Sequence, residues 1–204
     1  MTGRGKHGLF LYLEKRGIFC YNNNIMRIIA GEFGGRPLKT LAGKTTRPTS
    51  DKVRGAVFNM IGPYFAGGRV LDLFSGSGGL AIEAVSRGMT EAVMVEKDRR
   101  AQAVIAANIR MTQKAERFTL LKLPALQALK QLSGHFDLVF LDPPYAKETI
   151  VKTIAALEAK ELLAEGAVLV CETEKTVELP ETIGKIEMQK QKRYGISKVT
   201  VYVK

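Results

Sequence analysis

The feature that most constrains this chain is an alternation that begins at Arg69 and ends at Cys171. Short apolar runs of strand length occupy residues 69–74, 91–96, 118–121, 136–141 and 167–171. Between them, at 78–87, 98–111, 125–132 and 147–157, apolar residues recur at helical spacing. Strands that are apolar throughout, each followed by an amphipathic helix, predict a parallel sheet covered on both faces. The tail breaks the pattern. Residues 183–191 and 198–203 read as strands joined at Tyr194-Gly195 with no helix between them. They predict an antiparallel hairpin at one edge, so the sheet expected is α/β, seven-stranded and mostly parallel.

Upstream, residues 27–30 and 36–39 flank Gly31-Glu32-Phe33-Gly34-Gly35 and predict a small β-hairpin. A basic loop, Thr45-Thr46-Arg47-Pro48-Thr49, precedes a helix capped by Thr49 or Ser50, with Val53, Val57, Phe58, Met60 and Ile61 on its apolar positions. Three parts are therefore expected. Residues 1–25 form an upstream extension, disordered or non-native, that ends in the linker-like Asn22-Asn23-Asn24. Residues 26–48 form a basic hairpin and loop, and 49–204 the main domain. Charge follows this division. Of a net +11, residues 26–54 carry +5 and residues 1–25 carry +3, which leaves +3 for everything that follows. A basic module on a nearly balanced body points to a polyanionic partner approached from one side. Arg36, Lys39, Lys44 and Arg47 are the residues expected on its phosphates.

Several classes of function lack material. The two cysteines, Cys20 and Cys171, show no CxxC spacing, and the two histidines are far apart. Neither a disulfide framework nor a metal centre is expected, and a Ser-His-Asp triad has little to draw on. No apolar run is long enough to span a membrane, and Gly8 to Leu13 is too short for a signal-peptide core. The location expected is cytoplasmic.

In open α/β sheets, ligands bind at the carboxyl ends of the strands, and three strand ends here carry unusual residues. The first continues as Asp72-Leu73-Phe74-Ser75-Gly76-Ser77-Gly78-Gly79. Its glycines permit a tight turn and close approach of a ligand, and the helix that follows offers unpaired N–H groups. The dinucleotide fingerprint is incomplete, since Ala81 stands at its third glycine. Asp72 would repel a pyrophosphate but suits the ammonium of an amino-acid moiety, which favours S-adenosylmethionine over NAD. The second is Glu96, 24 residues after Asp72, close to the roughly 20-residue offset of an acid that grips ribose hydroxyls. The third is Asp142-Pro143-Pro144-Tyr145. Asp142 and the Pro143 carbonyl can both accept from an exocyclic amine, hold its nitrogen out of conjugation and aim the lone pair. The prolines fix that carbonyl, and Tyr145 can stack on the base.

Together these residues resemble the S-adenosylmethionine-dependent amino-methyltransferases that modify adenine N6 or guanine N2. Met26-Arg27-Ile28-Ile29-Ala30-Gly31-Glu32, the block from Arg47 to Arg54 followed by Phe58-Asn59, and Lys192-Arg193-Tyr194-Gly195 resemble more closely the RsmD family of 16S rRNA guanine-N2 methyltransferases. The resemblance covers about 26–204. It implies a Rossmann-like class I methyltransferase fold that methylates guanine 966. The substrate it implies is the 30S subunit or its assembly intermediate, and the enzyme is expected to be a monomer. Catalytic roles fall to Asp142, Pro143 and Tyr145, and cofactor contacts to Asp72, Phe74, Ser75, Gly76, Gly78, Glu96, Lys97 and Ala125. One departure stands at the third strand end, where Leu123-Pro124-Ala125 replaces the Asp or Asn that many such enzymes turn toward the adenine. Only the Ala125 N–H is left for that contact. An adenine-N6 methyltransferase and a non-catalytic ribosome assembly factor remain the alternatives.

Overall fold

The computed structural model describes residues 26–41, 51–144 and 146–204. The extension 1–25, the loop containing Lys44 and Arg47, the helix cap at Thr49 or Ser50, and Tyr145 lie outside the described residues.

A two-stranded hairpin, β1 (Met26–Arg27) and β2 (Pro37–Leu38), precedes α1 (Asp51–Ile61). The alternation follows as β3 (Arg69–Asp72), α2 (Gly79–Ser86), β4 (Glu91–Val95), α3 (Arg99–Thr112), β5 (Phe118–Leu121), α4 (Ala125–Ala128), β6 (Phe136–Leu141), α5 (Ala146–Ala159) and β7 (Leu163–Glu174). The tail is all strand: β8 (Thr182–Ile183), β9 (Ile186–Tyr194) and β10 (Ser197–Val203). Spatial order across the main sheet is β5-β4-β3-β6-β7-β10-β9-β8. The first five of these pair in parallel, and β10 runs antiparallel between β7 and β9.

The sheet thus has eight strands, not the seven expected. A single strand over 183–191 ignores Gly184, which takes φ 61 and forms a two-residue turn with Lys185, pairing Ile183 with Ile186. That turn folds Thr182–Ile183 back as an extra edge strand. Two other lengths differ. β7 is longer than the expected 167–171 because β10 pairs along it from Val168 to Glu174. Beyond Ala128, α4 gives way to tighter turns, with Lys130 N donating to Gln127 O at 3.1 Å.

Successive strand residues point to opposite faces, and both faces are buried. Leu71, Val93, Val139, Leu141 and Leu169 pack with Ile150, Ile154 and Leu157 of α5. Val70, Met94, Leu138, Phe140 and Val170 pack with Val57 and Phe58 of α1, Ile82 and Val85 of α2, and Ile105 of α3. The hairpin adds Ile28, Phe33 and Leu38 to this second layer.

What pins the hairpin is polar. Glu83, fully buried on α2, accepts from Ile29 N at 2.8 Å and Ala30 N at 3.0 Å. It also takes Arg87 Nε at 2.7 Å and lies 3.5 Å from Arg54 Nε. Both guanidiniums are buried with it, and that of Arg87 stacks over the Phe58 ring at 4.8 Å. One turn on, Ser86 Oγ accepts from Phe33 N and donates to Ala30 O, while Ser86 O accepts from Glu32 N. Gly31 is required here: its φ is 86, and a Cβ would lie 1.8 Å from Ser86 O. No described helix is long and apolar enough to cross a membrane.

Candidate active site

Strand order reverses between β3 and β6, which lead outward in opposite directions, and the three marked strand ends converge there. Asp72 pairs in register with Phe140, and Leu73 N donates to Phe140 O at 3.2 Å. Asp72 stands close enough to Asp142 for its charge to push the Asp142 carboxyl up.

The loop after β3 is held to β4 by Ser75. Its Oγ donates to Asp72 O at 2.9 Å and accepts from Val95 N at 3.1 Å, and its N–H donates to Val95 O. The chain then turns through Gly76 and Gly78, at φ 54 and φ 80. A Cβ on Gly78 would lie 2.3 Å from Met94 Cε, whereas one on Gly76 would meet nothing within 4 Å. The Met94 methyl is the end of a flexible side chain, so it is the left-handed backbone that favours glycine at both positions. At Gly76 the backbone also faces open space, where a ligand can lie close. Phe74 packs against the α5-side core and its N–H donates to Asp72 Oδ1 at 3.3 Å.

Glu96 follows β4 directly. Oε2 accepts from Gly76 N at 2.9 Å and Oε1 from Asp98 N at 2.8 Å. A carboxylate has about four acceptor positions, so both oxygens keep capacity for ligand hydroxyls while the loops hold them still. Asp98 then caps α3 through Arg100 N and Ala101 N. Lys97 is exposed beside this carboxylate, and Ala125 begins α4 behind Pro124, half-buried.

Asp72 is almost wholly buried. Burial pushes its carboxyl up to about 7; the Phe74 N–H pulls it down, and the Glu96 charge raises it again. A carboxyl that keeps its proton longer in the folded chain than in the unfolded one loses stability as pH rises. Here the loss develops between 3.8 and about 7, and the full cost stands above that window. Asp72→Asn should therefore raise stability at pH 8 by on the order of 4 kcal/mol, with no gain below pH 4. Urea unfolding at the two pH values checks this. The same substitution should weaken binding of a cationic ligand.

Asp142 follows β6 and lines a cleft at whose mouth the residue is exposed to solvent. Burial first, then the charges of Glu172 and Asp72, push its carboxyl up to about 7. Pro143 is buried and Pro144 exposed. A narrow cleft on the α1 side is lined by Val57, Leu80, Phe140, Leu141, Asp142, Val170, Glu172 and Val199. Glu172 is the cleft residue beside Asp142 that sequence reasoning missed. The signal was available: Leu141 pairs with Cys171, so the residue after Cys171 stands beside the residue after Leu141. Ending the strand at Cys171 concealed it.

Of the four basic residues expected at a polyanion, two are described. The Arg36 guanidinium donates to Met111 O and Thr112 O, each at 3.0 Å, and lies over the Phe33 ring. It closes the carboxyl end of α3. The Lys39 backbone exchanges hydrogen bonds with Asn108 while the residue stays exposed. Among the described residues no group of His, Cys, Asp and Glu could hold a metal ion.

A mostly parallel sheet with an antiparallel strand inserted between its last two long strands, and an acid–glycine loop facing a strand-end acid across from Asp-Pro-Pro, define a Rossmann-like class I methyltransferase fold. Comparison with known proteins narrows this. The family described as conserved hypothetical protein 95 matches residues 26–203. Ribosomal RNA small subunit methyltransferase D of Escherichia coli K12 is 33% identical over 83% of this chain and 85% of its own length. A Bacillus subtilis protein named provisionally as the rRNA methyltransferase YlbH is 42% identical over 88% of this chain and 99% of its own. A solved structure described as a conserved hypothetical protein of Streptococcus pyogenes is 70% identical, with a TM-score of 0.72 over 74% of this chain and 94% of its own. The chain belongs to the RsmD family.

Proposed function

We propose that this protein transfers a methyl group from S-adenosylmethionine to the exocyclic N2 of a guanine in 16S rRNA, acting in the cytoplasm on the 30S subunit or its assembly intermediate. The observation that carries the reading is the meeting of Asp142 and the buried Pro143 with Asp72 at the reversal of strand order. Relatives named as small-subunit rRNA methyltransferases support the substrate class.

When bound, S-adenosylmethionine supplies an electrophilic methyl on a sulfonium. Asp72, a buried carboxyl short of solvation, takes the ammonium of the amino-acid moiety. Glu96 takes the ribose hydroxyls, and the Gly76 backbone allows close approach. Lys97 and the Ala125 N–H flank the adenine, which rests mainly on apolar packing because Pro124 has no side-chain acceptor. On the other side, Asp142 and the Pro143 carbonyl accept from the guanine amine while Tyr145 stacks on the ring. Asp142 and the Pro143 carbonyl would hold the amine nitrogen toward that methyl, so that an N–C bond could form as the C–S bond breaks, with S-adenosylhomocysteine as the leaving group. The amine becomes acidic only once methylated, so no strong base is required; its proton passes to Asp142 or to water. Positioning supplies the acceleration. Because the amine is unreachable in a stacked helix, the guanine must flip out.

Incubation of 30S particles, naked 16S RNA and duplex DNA with labelled cofactor, followed by nucleoside mass spectrometry, tests the reading. N2-methylguanosine is the expected product. N6-methyladenosine would overturn the target assignment, and bound cofactor with no product on any substrate would favour an assembly factor.

The ionised form of Asp142 is the stronger acceptor, so the rate should rise with pH through about 7. Glu172→Gln removes the largest charge acting on Asp142 and should move that inflection to lower pH. An unmoved inflection would mean that the titrating group is not Asp142.

A further inference from the structure

Strand β9 carries charge that the chemistry above does not use. From Gln189 to Tyr194 it runs along the open side of the sheet, because β8 pairs only with Ile186 and Glu187 and the last contact on that side is Met188 N donating to Glu181 O. Lys190, Lys192 and Arg193 are exposed there. A shift in register between Val201 and Tyr202 sets Lys190 opposite Val201, Lys192 opposite Val199 and Tyr194 opposite Ser197. Residues two apart on a strand share a face, so Lys190, Lys192 and Tyr194 form one row. Their face is the one that carries α1: Lys190 Nζ reaches the Met60 carbonyl at 3.5 Å, and Tyr194 packs, half-buried, against the α1-side core. The Lys192 ammonium lies 5.8 Å from the centre of the Tyr194 ring.

This row leads to the cleft. Lys192 pairs with Val199, and Val199 pairs with Glu172; both partners line the cleft beside Asp142. At a strand spacing of about 4.8 Å, Lys192 stands roughly 10 Å from Glu172. That is too far to touch a base gripped by Asp142, yet close enough to meet a nucleotide flanking it. We infer that Lys190, Lys192 and Tyr194 form the track for the RNA strand on one side of the flipped nucleotide, the ammonium groups on phosphates and the Tyr194 ring against a neighbouring base. The inference rests on the reading of the protein as an RNA methyltransferase. Cations interleaved with an aromatic face are what a single strand of nucleic acid uses, whereas an acidic protein surface would call for the lysines and not for an aromatic face between them. Lysines on an open strand also discourage strand pairing, but that duty involves neither Tyr194 nor a particular face.

Initial rates on 30S particles, and filter binding to naked 16S RNA, should be measured across a range of salt for the wild type, Lys190→Ala/Lys192→Ala, Tyr194→Ala and Tyr194→Phe. Calorimetry with S-adenosylhomocysteine establishes that each variant is folded. The double lysine variant should raise KM for the particle by about 10-fold or more and flatten the log–log salt slope by roughly two. Tyr194→Ala should weaken RNA binding by about 5- to 100-fold and Tyr194→Phe should restore it. Unchanged KM and salt slope in folded variants would overturn the inference and leave the lysines as guards of the sheet edge. A raised KM on particles with unchanged binding to naked RNA would also overturn it, in favour of a ribosomal protein contact. If the wild type methylates no rRNA substrate, the function proposed above has failed, and the salt slope of naked-RNA binding still reports on this surface by itself.

Discussion

Replacing Asp142 by alanine should reduce turnover by at least about 100-fold while affinity for S-adenosylhomocysteine stays close to that of the wild type. Asp142 stands on the cleft side of the strand reversal, lining the same space as Val57, Leu80 and Glu172. The groups assigned to the cofactor, Asp72, Gly76 and Glu96, are held by hydrogen bonds among Ser75, Val95 and Asp98 that do not involve Asp142. Truncation should therefore remove an acceptor for the amine and leave the cofactor cradle standing. Asp142→Asn separates position from charge. An amide oxygen still accepts one hydrogen bond but does not titrate, so at saturating cofactor, where Asp72 ionisation no longer limits binding, partial activity should survive with a flat pH profile through about 7, where the wild-type Asp142 carboxyl changes state. Rapid-quench turnover and calorimetry on the same preparations provide both readouts. A large loss of cofactor affinity in Asp142→Ala would show that the residue belongs to the cofactor's side of the site.

Glu83→Ala should destabilise the folded protein by about 3–5 kcal/mol. The glutamate is fully buried and joins the hairpin to the main sheet's helical layer by accepting from Ile29 N, Ala30 N and Arg87 Nε. Removing it strands two buried guanidiniums and two backbone N–H groups. Arg54 would retain Asp51 and the Arg27 carbonyl, and Arg87 would retain Pro63 O at 2.9 Å. Neither set includes a buried counter-charge. At about 2–4 °C per kcal/mol for a domain of this size, the melting temperature should fall on the order of 10 °C. Glu83→Gln keeps one acceptor oxygen and should cost less. Calorimetric melting of the three proteins checks the order, and a loss below about 1 kcal/mol, the scale of a single ordinary hydrogen bond, would mean that Ile28, Phe33 and Leu38 and the hydrogen bonds of Ser86 dock the hairpin without it.

Sequence by itself determined the features whose cause is local. Apolar runs of strand length alternating with helical periodicity specify a parallel sheet, because a strand apolar on both faces has no other means of burying them. Such sheets place ligands at the carboxyl ends of their strands, so Asp72, Glu96 and Asp142 could be read as candidate site residues from their positions at those ends. Gly78 was legible for the same reason, as a turn into a helix that only glycine accommodates. What only the tertiary structure decided is the fate of charges and edges. Arg36 and Arg54 read as members of one basic surface segment, yet the first caps α3 and the second is buried against Glu83. Glu83 reads as an ordinary helix glutamate until Arg54, Arg87 and the hairpin meet it. Glu172 enters the cleft only because β6 and β7 pair in a particular register, and the eighth strand exists only because Gly184 turns β8 back onto β9. Whether a charged side chain is solvated or paired depends on the neighbours that burial brings to it. Those neighbours lie 29 residues apart for Arg54 and Glu83, and 30 apart for Asp142 and Glu172, beyond the reach of any local pattern.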